Sequence, residues 1–150
     1  DIITYSGVHA VQLHGDEDHH FCNRLKGYNV KVIKAFRVGE GFNPKDVEAY
    51  KTDAYLFDTK DQDQYGGTGK QFDWRILQEL KSLNVPMILS GGLNVQNVIE
   101  PVNELKPYAV DVNSSIEEAP GKKDAKKMRE FIDVVSYISH PSVRKESLSD

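Results

Sequence analysis

The stretch Tyr55-Leu56-Phe57-Asp58-Thr59-Lys60 and its continuation Tyr65-Gly66-Gly67-Thr68-Gly69-Lys70 decide the fold. A short apolar run ends in a carboxylate, and glycine-rich polar chemistry follows. The same transition recurs in Met87-Ile88-Leu89-Ser90-Gly91-Gly92 and in Ala109-Val110-Asp111-Val112-Asn113-Ser114-Ser115. Strands that always turn polar at their C-terminal ends describe a parallel α/β sheet, in which ligands sit beyond those ends.

Working outward, short apolar and largely β-branched runs mark strands at Ala10–Leu13, Val30–Phe36, Ala54–Phe57, Pro86–Leu89 and Tyr108–Val112. Helical spacing fills the intervals. Phe21 and Leu25 give a face to a helix over Asp16–Leu25, and Pro44 suits the first turn of a short helix over Pro44–Tyr50. Ile76, Leu77, Leu80 and Leu83 form a stripe after Asp73, a predicted N-cap, with Trp74 as packing. Val95, Val98, Ile99 and Val102 do the same after Asn94, and Met128 to Ile138 define the longest helix. Pro101 falls inside one stripe, so a bend or boundary is expected there. Residues 1–6 read as the end of a helix.

Strand and helix alternate through five units, which means right-handed crossovers and a parallel sheet. Two architectures fit: an open doubly wound sheet, or part of a (βα)8 barrel. A full barrel takes roughly 200 to 250 residues, so five units in 150 residues have the density of a barrel without its first three units. The reading is a partial-barrel domain over residues 1–138 and a polar, mobile tail over 139–150.

Composition narrows the class. A net charge of −4 with 28% charged residues is that of an ordinary soluble protein and no nucleic-acid binder. No apolar run approaches the roughly 18 residues of a membrane span, and no signal peptide is visible. One cysteine excludes an internal disulfide and suits a reducing, cytoplasmic compartment. The chain opens on Asp1 rather than Met, which points to a start upstream.

Four features carry chemistry. Asp58, at a buried strand's end, suits a general acid in a partly desolvated mouth, or else caps the next helix or pairs with Lys60. Gly66, Gly67 and Gly69 make a loop able to close over a site or merely to connect; the spacing to Lys70 is not that of a Walker A motif. Ser90-Gly91-Gly92 and Asn113-Ser114-Ser115 end the last two strands, where backbone N–H groups and a helix N-terminus would hold phosphate, with sugar phosphates as natural ligands. His14, in Gln12-Leu13-His14-Gly15-Asp16-Glu17, is read as a hydrogen-bonding residue at the mouth; no metal-ligand spacing is matched, and His19 and His20 belong on a solvated helix. Cys22 is read as a small buried hydrophobe, and Arg37 either reaches an anionic substrate or solvates the rim.

Four segments together resemble the phosphoribosylanthranilate isomerase family of tryptophan biosynthesis: Val11–Glu17; Leu56–Lys60 with Tyr65–Trp74; Leu89–Asn94 with Asn97-Val98; and Ala109–Glu117 with Pro120–Asp124. Their order and spacing hold along nearly the whole chain. The resemblance implies an N-terminally truncated barrel carrying strands four to eight. It also implies a cofactor-free and metal-free Amadori (aldose–ketose, intramolecular oxidoreductase-type) isomerisation of N-(5-phosphoribosyl)anthranilate to the 1-(2-carboxyphenylamino)-1-deoxyribulose 5-phosphate. Asp58 matches the family's general acid, which protonates the furanose ring oxygen. Gln12 and His14 match positions facing the mouth; Gly91, Gly92, Asp111, Asn113, Ser114 and Ser115 match the substrate and phosphate region, although many members have glycine where Ser115 stands. The family's general base is a strand-one cysteine in a Cys-Gly motif that this chain does not contain, and its anthranilate-binding arginine follows strand two. The resemblance thus implies an inactive chain on its own, with the remaining units or another chain covering the sheet edges. A non-catalytic phosphate- or partner-binding module is the alternative. Another sugar-phosphate barrel would need a metal cluster or a strand-end Lys/Glu pair, which the sequence does not offer.

Overall fold

The computed structural model describes residues 2–39, 41–59 and 74–139. Five parallel strands, β1 (Ala10–Leu13), β2 (Lys31–Arg37), β3 (Ala54–Asp58), β4 (Met87–Ser90) and β5 (Ala109–Val110), lie side by side in chain order. A doubly wound sheet reverses its strand order at a switch point. Here the order never reverses, so right-handed crossovers put the described connecting helices on one face, as in a barrel wall. The five expected strands are all present.

Register assigns the faces. Lys34 pairs with Tyr55 and Phe36 with Phe57, while Tyr55 and Phe57 pair with Met87 and Leu89. These residues face the helices: Phe57, Leu77, Leu89, Val98, Val102 and Phe131 belong to one apolar cluster. Leu13, Cys22 and Val32 form a smaller cluster beside it. Ala35 and Leu56 point the other way, yet are only 4% and 2% exposed. The sheet therefore curls over its own concave face.

The connections are less regular. Helix α1 (Ile2–Ser6) is wholly on the surface and is followed by Gly7 at φ 64°. Helix α2 (His19–Leu25) starts later than the expected Asp16, because Asp18 caps it by accepting the Phe21 N–H. Helix α3 (Pro44–Val47) ends before the expected Tyr50. Trp74–Leu83 is a 3₁₀ helix. With three residues per turn, Trp74, Leu77, Leu80 and Leu83 fall on one face, and these are buried or half-buried.

Four expectations are corrected between β4 and the C-terminus. The helix after Asn94 begins only at Ile99 (α4, Ile99–Leu105). The Asn94 side chain accepts the N–H groups of Gln96 and Asn97, so a side-chain turn occupies that stretch instead. Pro101 imposes no boundary: it is the third residue of α4, where an N–H would have no intrahelical acceptor, and its ring is fully buried. Strand β5 is shorter than Tyr108–Val112, although Tyr108 and Asp111 still donate to Met87 and Leu89.

A two-stranded antiparallel hairpin, β6 (Glu117–Ala119) and β7 (Lys122–Lys123), was not anticipated. Its polar residues carry no alternating apolar signal, and Gly121 at φ 80° makes the turn. The last helix, α5 (Ala125–Ser139), includes Ser139, which the sequence reading placed in the tail. No described helix is long and apolar enough to cross a membrane. The expected glycine loop at Gly66, Gly67 and Gly69, the Asp73 cap and the tail beyond Ser139 lie outside the described residues.

Candidate active site

All strand C-terminal ends share one rim, and a cleft of about 370 Å³ opens there, lined by residues including Gln12, His14, Asp58, Gly92, Asp111 and Ser114. Concave-face alternation explains the set. Gln12, Asp58, Ser90 and Asp111 occupy inward-facing registers of β1, β3, β4 and the end of β5.

Asp58 sits at the centre of the rim, half-buried, and its backbone is clamped on both sides. Its carbonyl accepts the Val38 N–H at 2.8 Å, and the next residue, Thr59, donates its N–H to Ser90 at 3.2 Å. His14 reaches over from the end of β1, placing Nε2 3.3 Å from Asp58 Oδ2. On the other side of the ring, Gln12 Nε2 lies 3.5 Å from His14 Nδ1. With Gln12 Nε2 as donor to Nδ1, a neutral His14 ring carries its proton on Nε2, facing the carboxylate.

The β4 rim is an anion-shaped surface. Gly91 and Gly92 have φ of 90° and 63°, a left-handed pair that side chains disfavour. Among the described residues nothing accepts their N–H groups, while both carbonyls accept side-chain hydrogen bonds. Thr59, only 3% exposed, donates its hydroxyl to the Gly91 carbonyl at 3.0 Å, and Asn97 donates its side-chain amide to Gly92 at 3.0 Å. The expected helix N-terminus is not adjacent to this loop, since α4 starts seven residues after Gly92.

The β5 rim divides by role. Asn113 and Ser114 line the cleft, and Lys123 grips Asn113 through both its backbone and side-chain oxygens. Glu117 holds Lys123 in turn at 2.8 Å, so the unanticipated hairpin braces this loop. Ser115 does not line the cleft; its hydroxyl donates to the Leu93 carbonyl and ties the β5 loop to the β4 loop. Asp111 accepts the Ser90 hydroxyl at 3.1 Å. A carboxylate repels phosphate and accepts hydroxyl protons, so its chemistry suits a polyol next to the anion.

Cys22 is far from this chemistry. It is 0% exposed on α2, and burial pushes its thiol up, away from thiolate reactivity. Arg37 is the register partner of Asp58 and, with His14 and Asp16, lines an adjoining cleft of about 330 Å³. Ser90 and Thr59 stood within the quoted motifs but were not singled out as site residues. Their signal is the hydroxyl beside each strand-end turn, legible only once β3 and β4 are known to be neighbours.

Comparison with known proteins identifies the family. The family model described as N-(5'phosphoribosyl)anthranilate (PRA) isomerase matches residues 1–134. The N-(5'-phosphoribosyl)anthranilate isomerase of Bacillus cereus (strain AH187) is 46% identical over 127 residues, covering 84% of this chain and 60% of the relative. The crystal structure of phosphoribosyl anthranilate isomerase from Thermotoga maritima superposes with a TM-score of 0.72 at 36% identity, over 90% of this chain and 65% of that one. A phosphoribosyl anthranilate isomerase solved in complex with reduced 1-(o-carboxyphenylamino)-1-deoxyribulose 5-phosphate superposes at 0.69 with 31% identity, over 90% of this chain and 63% of that one. The chain thus spans about 60% of the length of the Bacillus relative.

Proposed function

The chain belongs to the N-(5'-phosphoribosyl)anthranilate isomerase family, and from that premise we propose that its rim serves the Amadori rearrangement of N-(5-phosphoribosyl)anthranilate in tryptophan biosynthesis. The five units correspond in this reading to units four to eight of an eight-unit barrel. The observation that carries it is the shared cleft: a carboxyl group, Asp58, faces the same space as Gly91, Gly92, Asn113 and Ser114.

Asp58 is the proton donor. As the furanose opens, its proton passes to the ring oxygen, the C1–O bond breaks, and the anilino nitrogen's lone pair forms the protonated imine. Removal of the C2 proton then gives the enamine, which tautomerises to the 1-amino-1-deoxyketose. The phosphate sits against the N–H groups of Gly91 and Gly92 and the Asn113–Ser114 turn. Asp111 and Ser90 meet the sugar hydroxyls, and Gln12 and His14 flank the reacting end. No step calls for a cofactor or metal.

The base for the C2 proton is not assigned to this chain's cysteine. Cys22 is buried on α2, on the helix-facing side of the sheet. The 150 residues therefore supply the acid and the phosphate half of the site, and on their own should turn over negligibly. The test joins residues 1–139 to the first three βα units of the Thermotoga maritima relative and follows loss of substrate fluorescence. Turnover in this chimaera but not in the separate chain is expected; robust turnover by the separate chain would sink the divided-site reading, and a folded, inactive chimaera would sink the isomerase assignment.

A further inference from the structure

Lys34 occupies a position where its chemistry is out of place. Strand alternation turns it toward the helices with Val32 and Phe36, and it is only 3% exposed. Burying an ammonium costs several kcal/mol unless its hydrogen bonds are made good. Lys34 Nζ donates to the Gly15 carbonyl at 2.7 Å and to Glu17 Oε2 at 3.1 Å, and lies 5.9 Å from the Phe36 ring centroid.

The partners of that ammonium are all in the turn that follows His14. Glu17 Oε2 also accepts the Gly15 N–H at 3.0 Å, so one ion pair holds Gly15 at its N–H and its carbonyl. The fit is close: a Cβ on Gly15 would stand 3.0 Å from Glu17 Oε1. The Tyr50 hydroxyl donates to the Glu17 carbonyl at 3.3 Å, and Tyr55 donates to the Tyr50 carbonyl at 2.6 Å, which ties the turn to β3. A methionine would fill the same space without the desolvation cost, so packing alone does not account for a lysine.

We propose that Lys34 is a positioning residue: by gripping Gly15 and Glu17 from beneath, it fixes the turn that sets the His14 ring against Asp58. Lys34 does not line the cleft that His14 shares with Asp58; it borders the adjoining cleft with His14 and Arg37, and its hydrogen bonds run to this turn. The consequence for catalysis, a carboxyl group kept aimed by its imidazole neighbour, rests on the isomerase reading. The geometric statement stands apart from it.

The experiment uses the full 150-residue chain with ¹⁵N-labelled histidine rings, in alkaline buffer where imidazole is neutral. Long-range ¹H–¹⁵N spectra report which ring nitrogen carries the proton, with exposed His9 as the freely averaging reference. In the parent chain His14 should hold a fixed Nε2–H form, and Asp58→Asn should change that pattern. Lys34→Met should release His14 to the averaged pattern of His9 and speed amide exchange at Gly15 by about tenfold. Lys34→Arg should restore the fixed form, which a general packing defect would not allow. Where Lys34→Met fails to fold, Glu17→Gln decides, because its side chain is 29% exposed and Lys34 keeps the Gly15 carbonyl as an acceptor while losing the opposite charge. An unchanged His14 pattern in folded Lys34→Met, or in Glu17→Gln when that variant decides, would overturn the proposal, as would a parent chain whose His14 averages like His9. None of these outcomes bears on turnover by the chimaera, so the two readings fail separately.

Discussion

The Thr59 hydroxyl donates to the Gly91 carbonyl over 3.0 Å, joining the residue after the proposed acid to the proposed phosphate loop. Two elements that the proposed reaction must hold at fixed separation are thereby fastened by Asp58, the last residue of β3, and Thr59, the residue after it. Thr59 also donates its N–H to Ser90, so the connection is both backbone and side chain. The Gly91 carbonyl is held by a buried hydroxyl, and the proposed phosphate loop takes its orientation from that bond.

Thr59→Val should therefore weaken phosphate binding while keeping the fold. Losing one buried hydrogen bond and stranding its acceptor costs about 1–3 kcal/mol. Part of that cost should appear as a lower thermal midpoint and part as weaker binding of inorganic phosphate, about 3- to 30-fold by titration calorimetry if 0.7 to 2 kcal/mol reaches the loop. Unchanged phosphate affinity in a destabilised variant would make Thr59 a packing residue only.

Asp58→Asn in the chimaera should lower kcat by about 10² to 10⁴-fold, the usual contribution of a general acid. The amide keeps the shape and one acceptor for His14 but carries no transferable proton. KM for the substrate should change little, since the proposed phosphate contacts lie in the loops after β4 and β5. A kcat within a few-fold of the parent would remove Asp58 from the role of acid.

Phe57 shows how the core underwrites the rim. It is 0% exposed, one residue before Asp58, stacked on Phe36 at 5.7 Å and edge-on to Phe42 at 6.2 Å. Phe57→Ala should cost about 3–5 kcal/mol, a large part of the roughly 5–15 kcal/mol that holds a typical domain together. Urea denaturation followed by Trp74 fluorescence measures it. A loss below about 1 kcal/mol would mean that the neighbouring rings collapse into the space.

The strands were legible in the sequence because buried parallel strands are short apolar runs whose ends turn polar, as at Leu56-Phe57-Asp58 and Leu89-Ser90-Gly91. Strand-end position also brought Gln12, His14, Asp58, Gly91, Gly92, Asp111, Asn113 and Ser114 to one cleft. The misses have local causes. Asn94 captures backbone N–H groups that a helix would have used, and Pro101 is harmless only because α4 starts late enough to place it in the first turn. The hairpin Glu117–Lys123 is held by charged side chains and a glycine turn, which leave no apolar period to read. For Ser115 the motif leaves two readings open, a ligand contact or a tighter loop, and the hydroxyl's bond to the Leu93 carbonyl is of the loop-tightening kind.

Acid should unfold the chain through a specific group of carboxylates. Asp53 is held below the usual carboxylate range, first by the hydrogen bond from Lys31 at 2.8 Å and then by the Val32 N–H at 2.9 Å. Asp18 and Asp124 are lowered chiefly by the helix N–H groups they accept. For Glu17, burial is the largest influence and pushes upward, but Lys34 and the Gly15 N–H together carry it below its ordinary value. Each folded-state value is depressed, so the unfolded chain binds more protons across the window. Stability from these groups is complete above the ordinary carboxylate range and is lost as pH falls through the lowered values. Urea midpoints should accordingly hold steady near neutrality and decline between about pH 5 and about pH 2. Asp53→Asn keeps an acceptor for Val32 but gives up the charge opposite Lys31. That variant should start less stable at neutral pH and decline less steeply in acid; an acid slope equal to the parent's would show that the Lys31–Asp53 contact contributes nothing to the folded state.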